Sequence, residues 1–292
     1  MRGREVSRTA EFMAVFRASE HAKASASRAF ADPLAAALLP GELRIAAGLY
    51  RLRPAAALLN AYIDRRWPGA RTSGIARTRL IDDWIAQSIL GIDQVVLLGA
   101  GFDTRAWRLT ALASSKIFEV DHPNTAAVKQ ERLRSAHADL RRVTFVKVDF
   151  EVDDFEELLR AAGFDAARPA IVVWEGVSQY LTGEAVSGVM RWVGRLAPGT
   201  RFIFTYIHEG VLNGSVAFEG ADKAIAKVGG SGEPWRFGLL PERLPGFLRE
   251  RGLWLLSDLG ADQYRARVMG AESRNMRGYG FYHTVLAEVP RA

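Results

Sequence analysis

The strongest constraint on this chain is a run of short apolar segments, separated by helical patterns, between residues 94 and 207. Gln94–Leu98, Ile117–Val120, Val143–Val148, Ala170–Trp174 and Arg201–Tyr206 read as strands, with helical patterns near 104–112, 123–137, 153–162 and 183–196. Apolar strands that alternate with helices are buried on both faces and run parallel, because each crossover helix returns the chain in the same direction. After residue 207 the pattern changes. A stretch with Gly214, Gly220, Gly229, Gly230 and Gly232 reads as a loop-and-helix insertion. A helix near 241–251 follows, then strands near Trp254–Asp258 and Tyr282–Val289. The expected fold class is α/β: a Rossmann-like seven-stranded sheet with helices on both faces.

Residues 8–91 carry helical patterns only. Thr9–Ala22 places Phe12, Val15 and Phe16 at helical spacing. Asp32-Pro33 is expected to open a second helix, with Asp32 as N-cap and Pro33 in the first turn. A third starts at Pro54 and ends before Trp67-Pro68-Gly69, and a fourth covers 74–90. No hinge composition parts this front from the sheet. The 292 residues therefore read as a single domain: a helical cap (1–91), a βα core (92–207), a substrate-side insertion (208–240) and a terminal helix with a strand pair (241–292).

Composition narrows the chemistry. With 49% apolar and 25% charged residues, the chain is an ordinary globular one. No stretch approaches the roughly 20 apolar residues of a membrane helix, and the polar start Met1-Arg2-Gly3-Arg4-Glu5 does not resemble a signal peptide. A cytoplasmic protein without a membrane partner is expected. The absence of cysteine excludes disulfides, thiolate metal sites and a cysteine nucleophile. No His/Asp/Glu cluster has metal-ligand spacing, and no G-x-S-x-G elbow occurs. The net charge of +6 is spread over scattered residues and pairs such as Arg65-Arg66 and Arg141-Arg142, a solvated surface rather than a nucleic-acid stripe.

The first strand runs into Gly99-Ala100-Gly101-Phe102-Asp103-Thr104, a glycine turn where ligands bind in such sheets. Asp121 lies 20 residues after Gly101, at the tip of the second strand, where an acid can hydrogen-bond a ribose diol. Its alternative role is N-cap of the helix after Pro123. Glu119 is expected to point away from Asp121. A dinucleotide fits poorly: Thr104 replaces the third glycine, and Asp103 puts a negative charge where a pyrophosphate would sit. A nicotinamide oxidoreductase is disfavoured on both counts. Asp103 instead suits a ligand bearing an ammonium or sulfonium, and S-adenosyl-L-methionine carries both, with a ribose and an adenine. Asp149-Phe150, after the third strand, can offer a carboxylate to the adenine amino group and an apolar face to its ring, or cap the next helix. Glu175, ending the fourth strand before Gly176, is either a ligand-facing carboxylate or a satisfied structural acid.

In helix 74–90, Leu80, Ile81, Trp84, Ile85 and Ser88 fall within about 80° of Arg77 at about 100° per residue. Arg77 thus centres the buried face, while Arg79, Asp82 and Asp83 lie opposite, with Arg79 pairing on the surface. A buried guanidinium needs a carboxylate. It comes from a bound amino acid or derivative, or from an internal acid such as Asp103.

Together these segments resemble the leucine carboxyl methyltransferase family. The likeness is carried by Ala76-Arg77-Thr78-Arg79-Leu80-Ile81-Asp82, by Leu97 to Leu109 with its Gly-Ala-Gly-Phe-Asp-Thr-Arg-Ala-Trp-Arg-Leu run, by Phe118-Glu119-Val120-Asp121-His122-Pro123 and by Glu175 to Leu181. Thr9 to Glu20, Phe30-Ala31-Asp32-Pro33 and Gly232 to Gly238 resemble its bacterial branch, which includes the polyketide O-methyltransferase of tetracenomycin biosynthesis. The resemblance implies an S-adenosyl-L-methionine cofactor. Arg77 would hold the methionine carboxylate, Gly99, Ala100 and Gly101 would line the methionine and ribose, and Asp103 would belong to the same turn. Asp121 would take the ribose hydroxyls, Asp149 and Phe150 the adenine, and Glu175 the ammonium region. Lys23 is a weaker candidate for a second carboxylate contact.

The implied reaction is O-methyl transfer to a small-molecule carboxylate or phenol, with a protein C-terminal carboxylate or a non-catalytic cofactor-binding role as alternatives. A carboxylate is already ionised, whereas a phenol with a pKa near about 10 benefits from a base or a nearby positive charge. Tyr180, Tyr206 and His208 are the candidates, and His283 reads as structural. Phe218, Trp235 and Phe237 in the insertion could stack on an aromatic acceptor. A monomer or homodimer is expected.

Overall fold

The computed structural model describes residues 8–149, 152–230 and 234–291. Seven strands form one sheet: β1 (Gln94–Leu98), β2 (Lys116–Asp121), β3 (Thr144–Lys147), β4 (Ile171–Trp174), β5 (Arg201–Ile207), β6 (Trp254–Gly260) and β7 (Tyr282–Glu288). Their order is β3-β2-β1-β4-β5-β7-β6. The first five run parallel, and β7 is antiparallel to both its neighbours. Strand order reverses between β1 and β4, where Val95 pairs with Ile117 on one side and Ile171 on the other. Every residue of β1 and β4 is buried, as the unbroken apolar runs require.

The helices are α1 (Arg8–His21), α2 (Gly41–Gly48), α3 (Arg53–Arg66), α4 (Ala70–Ser88), α5 (Arg105–Arg108), α6 (Pro123–Ser135), α7 (Phe155–Ala161), α8 (Gly183–Gly194), α9 (Gly210–Asn213), α10 (Ala221–Gly230), α11 (Leu244–Arg249) and α12 (Ala261–Met269). Strand alternation sorts the core into two layers. Val96, Leu98, Phe118, Val120, Val172 and Trp174 pack against Val186, Val189, Met190 and Val193 of α8 and Leu244 and Leu248 of α11. Val95, Leu97, Ile117, Ile171 and Val173 face α4, through Ala76, Leu80, Ile81, Trp84 and Ile85, and α12, through Ala261 and Tyr264. The helical front has its own core, in which Ala14, Val15 and Ala18 of α1 meet Leu38, Leu39, Tyr50, Phe102 and Leu133. No described helix is long and apolar enough to cross a membrane.

The seven strands match the sequence reading, but the front differs in detail. No helix follows Pro33, where residues 33–39 form successive turns. Asp32 caps one of them by accepting from the Ala35 amide at 3.0 Å, and its other oxygen is held by Arg17 and Thr104. The fourth helix starts at Ala70, ahead of its expected start at 74. Between the last two strands the chain forms α12, whose polar sequence conceals a buried edge of Ala261, Tyr264 and Arg265.

The turn after β1 needs its glycines. Gly99 has φ +62°, and a Cβ there would lie 2.5 Å from Cγ2 of Val177; Gly101 has φ +47°. Both conformations are rare for residues with side chains. Gly99→Ala should therefore lower unfolding stability by about 1–3 kcal/mol. Urea denaturation measures the loss, and adding Val177→Ala should recover only the steric part of it.

Candidate functional site

A cavity of about 560 Å³ opens at the carboxyl ends of β1, β2 and β4 and beside Asp149, just past β3. Its walls also draw on α1, α4, residues 234–236 and the ring-bearing positions 279 and 282. The volume lies within the roughly 300–1,000 Å³ of small-molecule sites. The placement is the crevice at a topological switch point, where open α/β sheets bind their ligands.

Buried charge organises the floor. Arg105, only 2% exposed, gives Nε to Asp82 at 2.8 Å and Nη1 to Glu175 at 2.8 Å, and also pairs with Asp103. Glu175 turns its second oxygen to Nε of Arg77 at 2.8 Å. On the other side Arg108 holds Asp82, with Nη2 at 2.9 Å from Oδ1. Asp32 accepts from Arg17 Nε at 2.8 Å and Thr104 Oγ1 at 2.6 Å. Arg17 reaches on to the Phe102 carbonyl at 2.6 Å. Four arginines thus face four carboxylates, and the network is neutral as a whole. Burial pushes the Glu175 carboxyl up, but Arg105 and Arg77 outweigh it and hold the group below its ordinary range. Burial works against Asp103 in the same way, and Arg105, Lys129 and Arg108 hold it well below that range. Burial alone would lower the Arg77 pKa, yet Tyr282, Glu175 and Tyr264 raise it, so the guanidinium stays charged.

Arg77 is buried as the helical wheel requires, and its internal partner is Glu175 rather than Asp103. Its guanidinium lies 4.6 Å from the Tyr282 ring centroid, with Nη2 3.4 Å from Sδ of Met13. Asp103 is no free anion. It also takes the Arg105 amide at 2.7 Å, in front of a helix only one turn long. Asp82 departs most from the sequence reading: it is buried, and only Asp83 serves Arg79 on the surface. The reason is that α4 is covered on more than one side, which a single-stripe wheel does not allow for.

Asp121 accepts from the Gly101 amide and, at 2.7 Å, from the His122 amide, so it fastens the glycine turn to β2. Burial raises its pKa despite these bonds. It does not cap α6, because the His122 ring accepts from the Asn124 amide at 3.2 Å. Asp149 lines the cavity 3.9 Å from Nε2 of His122, and the cap of α7 is Asp154. Phe150 lies outside the described residues. Glu119 does not point away from Asp121: positions two apart share one face of a strand. It is buried 2.7 Å from Nζ of Lys129, and burial pushes its carboxyl from 4.5 up to about 7.

Among the candidate acid–base groups, the cavity takes in Tyr180, whose hydroxyl lies 3.3 Å from Oγ1 of Thr9. Tyr206 is fully buried in the opposite layer, donating to Asp258 at 2.7 Å, and burial and Asp258 raise its pKa. His208 packs 5.1 Å from the Phe218 ring, and Nδ1 of His283 sits 3.0 Å from Asp258. Neither Tyr206 nor His208 is among the cavity's lining residues, and Lys23 is paired with Glu20 at 2.7 Å. Of the insertion aromatics, Trp235 lines the cavity, whereas Phe218 and Phe237 do not. Sequence reasoning missed Arg17, Asp32, Asp82, Arg108 and Gln179. The one available signal was the spacing of Arg105 and Arg108, three apart on one turn and so directed to a common partner.

The strand order, the antiparallel β7 and the cavity at the switch point define a Rossmann-like class I methyltransferase fold. The chain belongs to the leucine carboxyl methyltransferase family, whose profile matches residues 10–194. A candidate S-adenosyl-L-methionine-dependent methyltransferase of Streptomyces coelicolor is 34% identical over 232 residues, covering 77% of this chain and 79% of that protein. A like-named protein of Frankia alni is 38% identical over 152 residues, 51% of this chain and 52% of its own. The matches span little more than half of the Frankia relative and of two from Mycobacteroides abscessus, at 52%, 54% and 60% of their lengths. Among solved structures, a candidate methyltransferase of Thermobifida fusca shares the fold at a TM-score of 0.59 and 18% identity, over 81% of this chain and 89% of that one. A DUF574-family protein of Streptomyces avermitilis does so at 0.58 and 15%, over 81% and 91%.

Two outcomes test the electrostatics. Asp82→Ala leaves Arg105 and Arg108 short of a buried partner and should cost about 3–5 kcal/mol in chemical denaturation. For Glu119, the folded pKa exceeds the unfolded one, so the folded state binds the extra proton between pH 4.5 and about 7. Its contribution to stability is present below that window and lost as pH rises through it. Wild-type stability should fall relative to Glu119→Gln from pH 5 to 8, as read by urea unfolding at each pH.

Proposed function

We propose that this chain is an S-adenosyl-L-methionine-dependent O-methyltransferase acting on a small-molecule carboxylate or phenol, in secondary, polyketide-like metabolism. The observation that carries this reading is the sequence of groups along the cavity floor. The Arg77–Glu175 pair comes first, then the Gly99-Ala100-Gly101 turn with Asp121, then Asp149. Charged, ribose-binding and base-binding ends follow one another in the order that a zwitterionic amino acid joined to a nucleoside requires. In this reading Arg77 clamps the methionine carboxylate with the donors that Glu175 leaves over. Glu175 and Asp103 face the ammonium side. Asp121 accepts from the ribose hydroxyls through its remaining lone pairs, and Asp149 with Phe150 holds the adenine. The names of the relatives support the same cofactor.

When bound, the cofactor supplies a methyl group on an electrophilic sulfonium. The protein's part is to align donor and acceptor at near-attack distance and to exclude water. The neutral floor suits that task, since its charges are mutually fixed and need no reorganisation during the reaction. Tyr180 is the candidate for orienting the acceptor oxygen. One observation favours a second reading, a protein C-terminal carboxylate as acceptor: the family profile is named for leucine carboxyl methylation.

Titration calorimetry should show S-adenosylmethionine and S-adenosylhomocysteine binding, with NAD failing to bind. Arg77→Ala should weaken both ligands at least tenfold while the thermal melt stays cooperative, and Asp121→Asn should do the same. Failure of the wild type to bind either ligand overturns the reading. Label transfer from tritiated S-adenosylmethionine to carboxylic acids, phenols or a leucine-terminated peptide then separates the acceptor classes.

A further inference from the structure

Arg77 lines the cavity but is held by its carboxylate at one nitrogen only. Nε meets Glu175 at 2.8 Å, and Nη2 has the thioether of Met13 at 3.4 Å, a weak acceptor. Nη1 makes no hydrogen bond among the described residues. Arg105 and Arg108, by contrast, each give two nitrogens to carboxylates. A bond at one nitrogen fixes a guanidinium at a point and leaves its plane free to swing about that point. A second contact is needed to set the plane. The Tyr282 ring supplies it, with its centroid 4.6 Å from Cζ of Arg77, the face-on contact that a flat guanidinium favours.

That ring is itself tied down. Pairing of β7 with β5 sets Tyr282 opposite Ile207, where it is buried and lines the cavity. Its hydroxyl accepts from Nε2 of Gln179 at 3.2 Å and lies 3.4 Å from Oγ1 of Thr205. Thr205 is fully buried in β5. The same Oγ1 accepts from the Gly176 amide at 2.8 Å, one residue beyond Glu175, and the Thr205 carbonyl accepts from Oγ of Ser178 at 2.6 Å. One β5 residue therefore anchors both groups that hold Arg77: the carboxylate through the chain at Gly176, and the ring through its hydroxyl.

We propose that Tyr282 is a positioning residue for the carboxylate clamp: its anchored ring sets the plane of the Arg77 guanidinium, so that the donors Glu175 leaves over meet a ligand carboxylate in one orientation. A carboxylate binds a guanidinium best when donors and acceptors share a plane. A plane set in advance spares the side-chain entropy that binding would otherwise cost. The effect is confined to the amino-acid end of the ligand. A nucleoside without a carboxylate makes no demand on Arg77, so loss of the ring leaves its affinity alone. This specificity separates positioning from wall packing, which would act on both kinds of ligand. The proposal rests on the methyltransferase reading for the identity of the ligand, while the hold of Tyr282 on Arg77 is a property of the protein alone.

Two measurements on the full chain test it. In the ligand-free protein, NMR relaxation of the arginine Nε–H groups should show Arg77 as rigid as Arg105. Tyr282→Leu should free Arg77 and leave Arg105 unchanged, with Tyr282→Met in its place if that variant does not fold. A mobile Arg77 in the wild type, or an Arg77 that stays rigid without the ring, overturns the proposal. Calorimetry then compares S-adenosylhomocysteine with 5′-methylthioadenosine, which lacks the amino acid. Tyr282→Leu should weaken the first at least tenfold and the second less than twofold, and Tyr282→Phe, which keeps the ring, should recover most of the loss. Equal loss for both ligands, or Tyr282→Phe as weak as Tyr282→Leu, overturns the proposal. Failure of the wild type to bind S-adenosylhomocysteine strikes the methyltransferase reading instead, and the relaxation measurement still decides whether Tyr282 holds Arg77.

Discussion

Everything at the switch point depends on Arg105. Its guanidinium is almost wholly buried and meets carboxylates from three separate regions: Asp82 on α4, Asp103 in the glycine turn and Glu175 beyond β4. A buried charge is tolerated only when paired and hydrogen-bonded. These contacts therefore fix the spacing between the helical front and the ends of two adjacent central strands. Arg108 and Arg17 extend the tie through Asp82 and Asp32 to α1, so a wall of the cavity and its floor belong to one electrostatic unit. Moving any member would leave a partner uncompensated in a low-dielectric setting, which is why the site can be rigid without a metal or disulfide among its described residues.

Neutrality of that unit changes how the acids are understood. Asp103 invites the view that it attracts a cation by its bare charge, yet Arg105 lies against it. Glu175 is likewise shared between two arginines. What these groups present to the cavity is a set of fixed dipoles, which favour a ligand that alternates in charge more than one of a single sign. Asp121 differs. Its two hydrogen bonds are to backbone amides, and the turn does not use the rest of its accepting capacity, since a carboxylate has about four lone-pair sites. It sits on the same strand face as Glu119, so two acids crowd that face and burial raises both.

The sheet was legible in the sequence because buried parallel strands advertise themselves as short apolar runs, and β1 matches its expected bounds at Gln94–Leu98. Arg77 was legible because its wheel neighbours, Ser88 apart, are apolar. Asp82 was not, since a wheel assumes one buried stripe and α4 is enclosed on several sides. The run after Asp32-Pro33 carries capping chemistry, and Asp32 does accept from the Ala35 amide, yet the chain continues only as turns while the second carboxylate oxygen ties the segment to Arg17 and Thr104. Helix α12 hid behind its polar composition. Tyr206 and His208 looked available because both end an apolar strand. Strand alternation sends Tyr206 into the opposite layer, and His208 packs against Phe218 instead.

The walls of the cavity are built on two different principles, and this bears on what each part can vary. The floor is made of strand ends and a closed set of ion pairs, where a single substitution disturbs several partners at once. The rest of the wall comes from α1, the 234–236 segment and positions 279 and 282, where Tyr279 packs on Phe281 and Tyr282 lies under the Arg77 guanidinium. Apolar contacts tolerate exchange of shape more readily than a buried ion network tolerates loss of a charge. Substitution at Trp235 or Tyr279, which line the cavity outside the ion network, should therefore leave the floor intact. Gln179 is the position where the two principles meet. Its backbone carbonyl binds the 236–237 segment into place, while its side-chain amide donates to the Tyr282 hydroxyl at 3.2 Å, next to Arg77. A substitution that keeps the backbone and alters only the amide separates those roles.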